Sequence, residues 1–200
     1  MAFISSFVMT VIFCCSGCPF ENDSGSDMTE ILNAYDWQSY VGDGVGIWVS
    51  VRGEALLLIK GGQIIQWYPC STAKAGVGNQ QDSGQTPLGW HRIGAKIGDG
   101  LPVGAILEGR QWSGKVWTPG QTTPEDLILS RVLWLRGLEP GKNSGGTVDS
   151  WNRYIYIHGT NDTASLGRPA SAGCVRLDPQ AVIDLYDRVK EGYCVLITEE

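Results

Sequence analysis

The feature that most constrains the fold is a series of short apolar and β-branched runs separated by glycine-bearing turns. Such runs lie at Gly46–Val51, Ala55–Lys60 and Gln63–Cys70. The dipeptides Arg52-Gly53 and Gly61-Gly62 stand between these runs, as is typical of hairpin turns. Glycine accounts for 27 of the 200 residues, roughly twice the usual share of about 7%. The pattern predicts a mainly β, mostly antiparallel domain with a few helices.

Two segments show the helical spacing of apolar residues instead. Ser26–Tyr40 is predicted as a short helix, and Asp178–Lys190 is the clearest helix of the chain. Asp178 is placed as its N-cap, Pro179 as its first helical residue and Gly192 as its C-terminal stop. Further runs that favour β structure lie at Trp90–Ile97, Ala105–Glu108, Arg153–His158 and Tyr193–Thr198, and Leu127–Leu138 is a strongly apolar stretch.

Charge and histidine content exclude some function classes. The net charge is −6 and the sequence pI is about 4.9, so general nucleic-acid binding is not expected, because it needs an excess of Lys and Arg. The two histidines, His91 and His158, lie far apart in the chain, so no metal site and no cofactor are predicted. His91 follows Trp90 in a strand-like run and is interpreted as structural.

The N-terminus has the features of a targeting segment. Residues 1–18 carry no charged side chain, and the apolar run Ala2–Phe13 is shorter than the about 20 residues of a membrane-spanning helix. The run suits a secretory signal, which predicts export to the periplasm or cell envelope. Cys15-Ser16-Gly17-Cys18 resembles a weak lipoprotein cleavage box with Cys18 as the lipidated residue, the only membrane contact predicted. A plain cleaved signal and a misplaced start codon are the alternatives.

The exported part has three cysteines. They are Cys70, Cys174 and Cys194, and an odd number in an oxidising compartment leaves at least one free thiol. Cys70 and Cys194 both lie in strand-like runs, so either they form a disulfide or both are buried.

Two short segments contain the residue types for nucleophilic catalysis. His158 ends a strand-like run, and Cys174 follows Gly173 just before the predicted helix. A thiol is a good nucleophile as thiolate, and an imidazole can take its proton. The backbone N–H groups of Gly173 and Cys174 are candidates to stabilise an oxyanion, and Arg176 is suited to binding a substrate carboxylate. The sixteen residues between His158 and Cys174 do not fix their distance, so a packing role for both is the alternative.

The stretch from His158 to Ile197 resembles the catalytic signature of the L,D-transpeptidase (YkuD-type) family. That signature is a strand ending in His-Gly-Thr, a loop, a Ser-His-Gly-Cys-Ile/Val-Arg segment, a helix and a closing strand. Upstream segments extend the resemblance to about Gly46, and the last two resemble a bacterial envelope branch: Ser71-Thr72, Thr86-Pro87-Leu88-Gly89, Leu133–Gly141 and Arg153–Thr160.

The resemblance implies a β-sandwich or barrel-like catalytic domain over residues 45–200, preceded by a linker and short helix over 19–44. It implies that Cys174 attacks the third residue of a peptidoglycan tetrapeptide stem and passes the acyl group to an amine. The product is then a 3→3 cross-link or an attached envelope lipoprotein, and with water the enzyme is an L,D-carboxypeptidase. The implied base is His158, with the Gly159 carbonyl orienting its ring and the Ser171 hydroxyl near the donor stem.

One position departs from the family pattern. The histidine that usually stands two residues before the nucleophile is replaced by Ala172. A weakened or inactive peptidoglycan-binding homologue is therefore the alternative function. Outside the signature, Trp112 and Trp117 lie in a loop-rich stretch and are candidate substrate contacts.

Overall fold

The computed structural model describes residues 18, 20, 26–123 and 126–200, so residues 1–17 of the predicted signal lie outside the described part. The helices are α1 (Ser26–Ala34), α2 (Trp37–Tyr40) and α3 (Ala181–Arg188). The strands are β1 (Val45–Ser50), β2 (Ala55–Lys60), β3 (Gln63–Pro69), β4 (Gly89–Ile97), β5 (Ala105–Glu108), β6 (Gln111–Val116), β7 (Leu129–Gly137), β8 (Tyr156–Gly159), β9 (Val175–Leu177) and β10 (Cys194–Thr198). Over these ranges, no helix is long and apolar enough to cross a membrane.

The described strands form one sheet. Its main path runs β3-β2-β1-β10-β4-β7-β5-β6, and β8 pairs with β7 and β9. The pairs β1–β10 and β8–β9 are parallel, and the others are antiparallel. Because β7 pairs with β4, β5 and β8, the sheet branches at β7. The predicted mainly β fold with few helices is confirmed.

Alternation along the strands creates two apolar cores on opposite faces of the sheet. In β1, Ile47 and Val49 join one cluster and Trp48 joins the other, because successive side chains of a strand point to opposite faces. Leu185 of α3 packs in the first cluster, and Trp37 of α2 packs in the second. The first cluster also contains side chains of β8 and β9, so the two arms of the branched sheet enclose one core in a sandwich-like way.

Both helix predictions need a correction. Ser26–Tyr40 is two helices rather than one, because Asp36 has a φ of 55° and breaks the helical path between α1 and α2. α3 begins at Ala181, so its N-cap is Gln180 and not Asp178, and Pro179 lies outside the helix. The Asp178 carboxylate still accepts hydrogen bonds from the Gln180 and Ala181 amides at its start. This contact satisfies amide groups that the helix itself leaves unpaired.

The structure also differs from the sequence predictions at three strands, β6, β8 and β9. The run Arg153–His158 is a strand only from Tyr156, because Tyr154 has a φ of 57° and lies in a turn. Cys174 is followed by the short strand β9 and not directly by a helix. β6 was not predicted, since its residues are mostly exposed and show no apolar alternation.

Cys70, Cys174 and Cys194 are free thiols. Cys70 is buried in the first core, whereas Cys194 packs against the second, on the opposite face of the sheet. A Cys70–Cys194 disulfide is therefore absent, and burial is the correct alternative for Cys70. Cys18 packs in the second core. Lipid attachment at Cys18 stays a prediction.

Candidate active site

The pairing of β8 with β9 brings the candidate catalytic residues onto one face. The register pairs Ile157 with Val175 and His158 with Arg176. Ile157 and Val175 point into the first core, so His158 and Arg176 lie on the opposite face. Cys174, one residue before β9, shares the face of Arg176 by the same alternation. His158 and Cys174, sixteen positions apart in sequence, are thus brought to the same face of the sheet.

The Cys174 thiol is half-buried and bracketed by backbone groups. Its Sγ accepts a hydrogen bond from the Tyr156 N–H at 3.4 Å and donates to the Tyr154 carbonyl at 3.5 Å. Burial raises the pKa of the thiol to about 11, although the Tyr156 N–H opposes the rise. The resting thiol is therefore protonated at neutral pH, and attack on a carbonyl requires a base.

His158 has the properties of a neutral base. It is 3% exposed, and its Nδ1 lies 2.8 Å from the Gly159 carbonyl, which can only accept, so Nδ1 donates and Nε2 holds the lone pair. Burial lowers the pKa of the imidazole, and the Gly159 carbonyl opposes this. In the described part, no hydrogen bond joins the ring to Cys174, which matches the loose geometry of many unliganded sites.

Gly159 is required by packing as well as by its carbonyl. A Cβ at this position would lie 2.6 Å from the Leu129 carbonyl oxygen on β7, closer than side chains tolerate. The close approach of β8 to β7 therefore accounts for a glycine directly after His158.

The Arg176 guanidinium already has protein partners. It is 2% exposed, and it pairs with Asp126 at 3.1 Å and with Asp162 at 3.3 Å, while Nη2 donates to the Ser71 hydroxyl at 3.1 Å. These contacts tie β9 to the loops that carry the two carboxylates. Binding of a substrate carboxylate by Arg176 stays a prediction, and such a ligand would have to replace existing partners.

The loop before the nucleophile is held by its own serine. The Ser171 hydroxyl donates to the Cys174 carbonyl at 2.6 Å and accepts from the Gly173 N–H at 3.2 Å. Gly173 has a φ of +130°, which favours glycine. Of the two predicted oxyanion donors, the Gly173 amide therefore points at Ser171 in this structure. Ala172 is exposed.

Thr86, in the turn singled out from the sequence, anchors the same loop from the other side. Its fully buried hydroxyl accepts from the Ala73 N–H at 3.0 Å and donates to the Gly173 carbonyl at 3.1 Å. The Thr-Pro turn thus reaches the residue next to the nucleophile.

Glu54 is a supporting residue that sequence reasoning missed. Its carboxylate, in a residue 4% exposed, accepts from the N–H and the hydroxyl of Thr72, each at 2.6 Å. The Thr72 carbonyl accepts from the Ala170 and Ser171 amides, which lead to the nucleophile. Burial raises the pKa of Glu54, and the Thr72 bonds oppose this. Glu54 follows a hairpin signal in sequence, where an acid indicates an exposed turn.

We expect Glu54→Ala to lower the free energy of unfolding by about 2 kcal/mol, because it leaves two buried Thr72 donors without an acceptor. Glu54→Gln should cost less, since its amide oxygen can accept the N–H and its NH2 can donate to the hydroxyl. Urea unfolding measures both, with the exposed Glu199→Ala as control. Equal stability of Glu54→Ala and Glu199→Ala would contradict the role of Glu54.

The other sequence candidates lie apart from this constellation. His91 is buried, with its ring nitrogens 2.9 Å from the Gly89 carbonyl and the Ser150 hydroxyl, and burial lowers its pKa to about 4, so it is structural. Trp117 is buried at 8% exposure, whereas Trp112 on β6 is exposed. Across the described ranges, no group of three or more His, Cys, Asp or Glu side chains is arranged to hold a metal ion.

Two adjoining pockets lie beside the site. They have volumes of about 430 and 480 Å³, which suits a small ligand, and they share residues 121–123. The larger is lined by Asp126, Asp162 and Arg176. Neither lining includes His158 or Cys174.

Known proteins resemble this chain in sequence and fold. A Bacillus subtilis (strain 168) protein named as an L,D-transpeptidase, YkuD, is 38% identical over 86 residues, which are 42% of this chain and 48% of that protein. The match thus spans about half the length of that relative. Solved structures include an Enterococcus faecium L,D-transpeptidase mutant, with 16% identity, a TM-score of 0.49 and coverage of 79% of this chain and 50% of that one. Another is L,D-transpeptidase 3 from Mycobacterium tuberculosis, with 14% identity, a TM-score of 0.48 and coverage of 78% and 61%.

A family model for the L,D-transpeptidase catalytic domain (YkuD) matches residues 44–197, which include β1 to β9, α3 and nearly all of β10. The matched range contains His158, Cys174 and the loops that position them. Because it covers well over half of the chain, the protein belongs to the YkuD-type L,D-transpeptidase catalytic domain family.

Proposed function

We propose that the protein is a peptidoglycan L,D-transpeptidase with Cys174 as nucleophile and His158 as base. The observation that carries the proposal is the pairing of β8 with β9, which sets a neutral imidazole and a protonated thiol on one face within the family match. A protonated thiol beside a neutral base is the resting state that general-base activation needs.

The first half-reaction forms a thioester. His158 Nε2 takes the thiol proton as Sγ attacks the carbonyl of the third residue, diaminopimelate, of a tetrapeptide stem. The tetrahedral intermediate collapses, the bond to the terminal D-alanine nitrogen breaks, and the imidazolium returns its proton to the leaving amine. The Gly159 carbonyl stabilises the ring while it is positively charged, as the acid does in a triad.

The second half-reaction resolves the thioester. An acceptor amine attacks the carbonyl, His158 takes a proton from it, and the thiolate leaves and is reprotonated. If the acceptor is a diaminopimelate side chain, the product is a 3→3 cross-link, and if it is a lysine of an envelope lipoprotein, the product is an attached protein. If water takes the place of the amine, the enzyme acts as an L,D-carboxypeptidase. The proposed site of action is the periplasm or cell envelope, to which the predicted signal in residues 1–18 directs the protein. Lipid attachment at Cys18 is the alternative to a plain cleaved signal.

We expect one molecule of a carbapenem to acylate Cys174, because the strained lactam carbonyl replaces the stem carbonyl. Intact-protein mass spectrometry should show a single adduct, and peptide mapping should place it on the segment with Cys174. Cys194→Ala is the matched control, since it removes another partly exposed thiol and should keep the adduct. A parent protein without an adduct, or an adduct that Cys194→Ala abolishes, would contradict the proposal.

The position two residues before the nucleophile allows a test of the alternative function. Ala172→His should leave the acylation rate unchanged or raise it severalfold, because His158 already supplies the base and Ala172 is exposed. Stopped-flow or time-resolved mass measurements of carbapenem acylation compare the two proteins. If the parent is inert and Ala172→His acylates, the chain is a weakened homologue that only binds peptidoglycan.

A further inference from the structure

The charges of two arginines, Arg153 and Arg176, act on the bracketed thiol, and protein groups accept hydrogen bonds from the Nη atoms of both. A third arginine contacts the two tyrosines that bracket the thiol. Arg176 is sealed between Asp126 and Asp162, as described above. Arg153 donates to the Gly78 carbonyl at 3.2 Å and to the Gln85 carbonyl at 2.7 Å. Both guanidiniums therefore hold protein loops, and neither presents an open pair of N–H groups to a ligand.

Arg110 is the third, and it is exposed. It lies in the turn between β5 and β6, where it has a φ of 69°. Its guanidinium carbon lies 4.8 Å from the ring centre of Trp134 and 5.3 Å from that of Tyr154, and Nη1 donates to the Tyr156 hydroxyl at a long 3.4 Å. Within the described residues, no carboxylate forms an ion pair with it.

The aromatic rings under Arg110 form a closed stack. Trp134 stacks on Trp151 with ring centres 3.6 Å apart, and Arg136 caps the far side of Trp151 at 4.4 Å. A guanidinium covers each of the two outer faces of the tryptophan pair, so these faces do not offer a surface for a sugar ring. A guanidinium that stacks by its face keeps the N–H groups of its edge for an anion.

The stack ends at the nucleophile. The carbonyl of Tyr154 and the N–H of Tyr156 are the two groups that hydrogen-bond Cys174 Sγ. The side chains of the same two tyrosines contact Arg110. The hairpin turn therefore places an exposed positive charge on the residues that bracket the thiol.

We propose that Arg110 binds a carboxylate of the acyl donor and so determines which donors the enzyme accepts. The proposal rests on the proposed function, and it moves carboxylate binding from Arg176, the residue favoured by sequence, to a cation with open donors. A tetrapeptide donor has two such groups near the scissile carbonyl, the terminal carboxylate of D-alanine and the side-chain carboxylate of diaminopimelate.

The test compares donors with and without each carboxylate. The rate constant kcat/KM is measured for a tetrapeptide, its C-terminal amide and its side-chain amide, with the parent, Arg110→Gln and Arg136→Gln. Arg110→Gln should lower kcat/KM by about 10- to 100-fold for the unmodified donor, as expected for a lost charge-assisted hydrogen bond. Amidation of the bound carboxylate should lower kcat/KM of the parent by a similar factor and change kcat/KM of Arg110→Gln little. The amide that shows this pattern identifies the carboxylate that Arg110 binds.

Arg136→Gln is the matched control, because it removes the cation from the other end of the stack. It should discriminate among the three donors as the parent does. If Arg110→Gln loses the same factor on all three donors, or on none, the carboxylate proposal is overturned. A loss of discrimination in Arg136→Gln equal to that in Arg110→Gln would assign the effect to the stack and overturn it too.

A second measurement is independent of turnover. Iodoacetate carries a carboxylate and iodoacetamide does not, so the ratio of their alkylation rates at Cys174 reports on anion binding beside the thiol. Mass mapping should show this ratio fall at least about threefold in Arg110→Gln and stay at the parent value in Arg136→Gln. An unchanged ratio overturns the proposal. If the parent turns over no donor but the ratio falls, the proposed function fails and the carboxylate site stands.

Discussion

We expect Cys174→Ala to abolish both acyl transfer and carbapenem acylation while the domain stays folded. The substitution removes the Sγ atom, which lies between the Tyr154 carbonyl and the Tyr156 N–H and would form the proposed thioester. The loss of one half-buried sulfur should change the free energy of unfolding by no more than about 1 kcal/mol.

Transfer is measured by chromatography of stem products, and folding by urea unfolding with circular dichroism. Cys194→Ala serves as the control for removal of a thiol. Turnover by Cys174→Ala above a small fraction of the parent rate would mean that another group is the nucleophile. Loss of folding would call for Cys174→Ser, which keeps the size of the side chain and should be equally inactive.

We expect His158→Ala to lower the acylation rate by about 10²- to 10⁴-fold at neutral pH, the usual contribution of a general base. The pH dependence separates this role from a structural one. In the parent, burial lowers the pKa of His158, so the base is neutral and the rate should be level from neutral pH upward. The rate should fall on the acid side, where the imidazole becomes protonated.

Without His158 only the thiolate reacts, and its share is small because burial raises the pKa of Cys174 to about 11. The rate of His158→Ala should therefore rise by about tenfold per pH unit between about pH 7 and 10. His91→Ala, at the other histidine, is the control for ring removal and should keep the level profile if the variant folds. A level profile in His158→Ala would place the base elsewhere.

Local patterns predicted a large part of the fold. β1, β2 and β10 were evident because buried strands are continuous apolar runs, and the helical spacing of apolar residues from Val182 to Val189 predicted α3. β6 was hidden because its side chains are mostly exposed and show no apolar alternation. The break at Asp36 was hidden because it comes from a left-handed backbone conformation, with a φ of 55°, at a residue that is neither glycine nor proline.

The candidate site shows the same division. Cys174 and His158 were singled out by residue type and by the family signature, which are properties of short segments. Glu54 and Arg110 carry no such signal, since each looks like an ordinary charged residue of a turn. Only the structure shows what surrounds them: two buried donors at Thr72 for Glu54, and an aromatic stack for Arg110.

The sequence by itself determined most of the strand content, the family and the pair of candidate catalytic side chains, because these depend on periodicity and on residue identity within short segments. Only the tertiary structure decided that His158 and Cys174 share a face, that Cys70 and Cys194 lie on opposite faces, and that Arg176 is occupied. The physical reason is that strand register and charge pairing depend on contacts between residues distant in the chain, which no local pattern records.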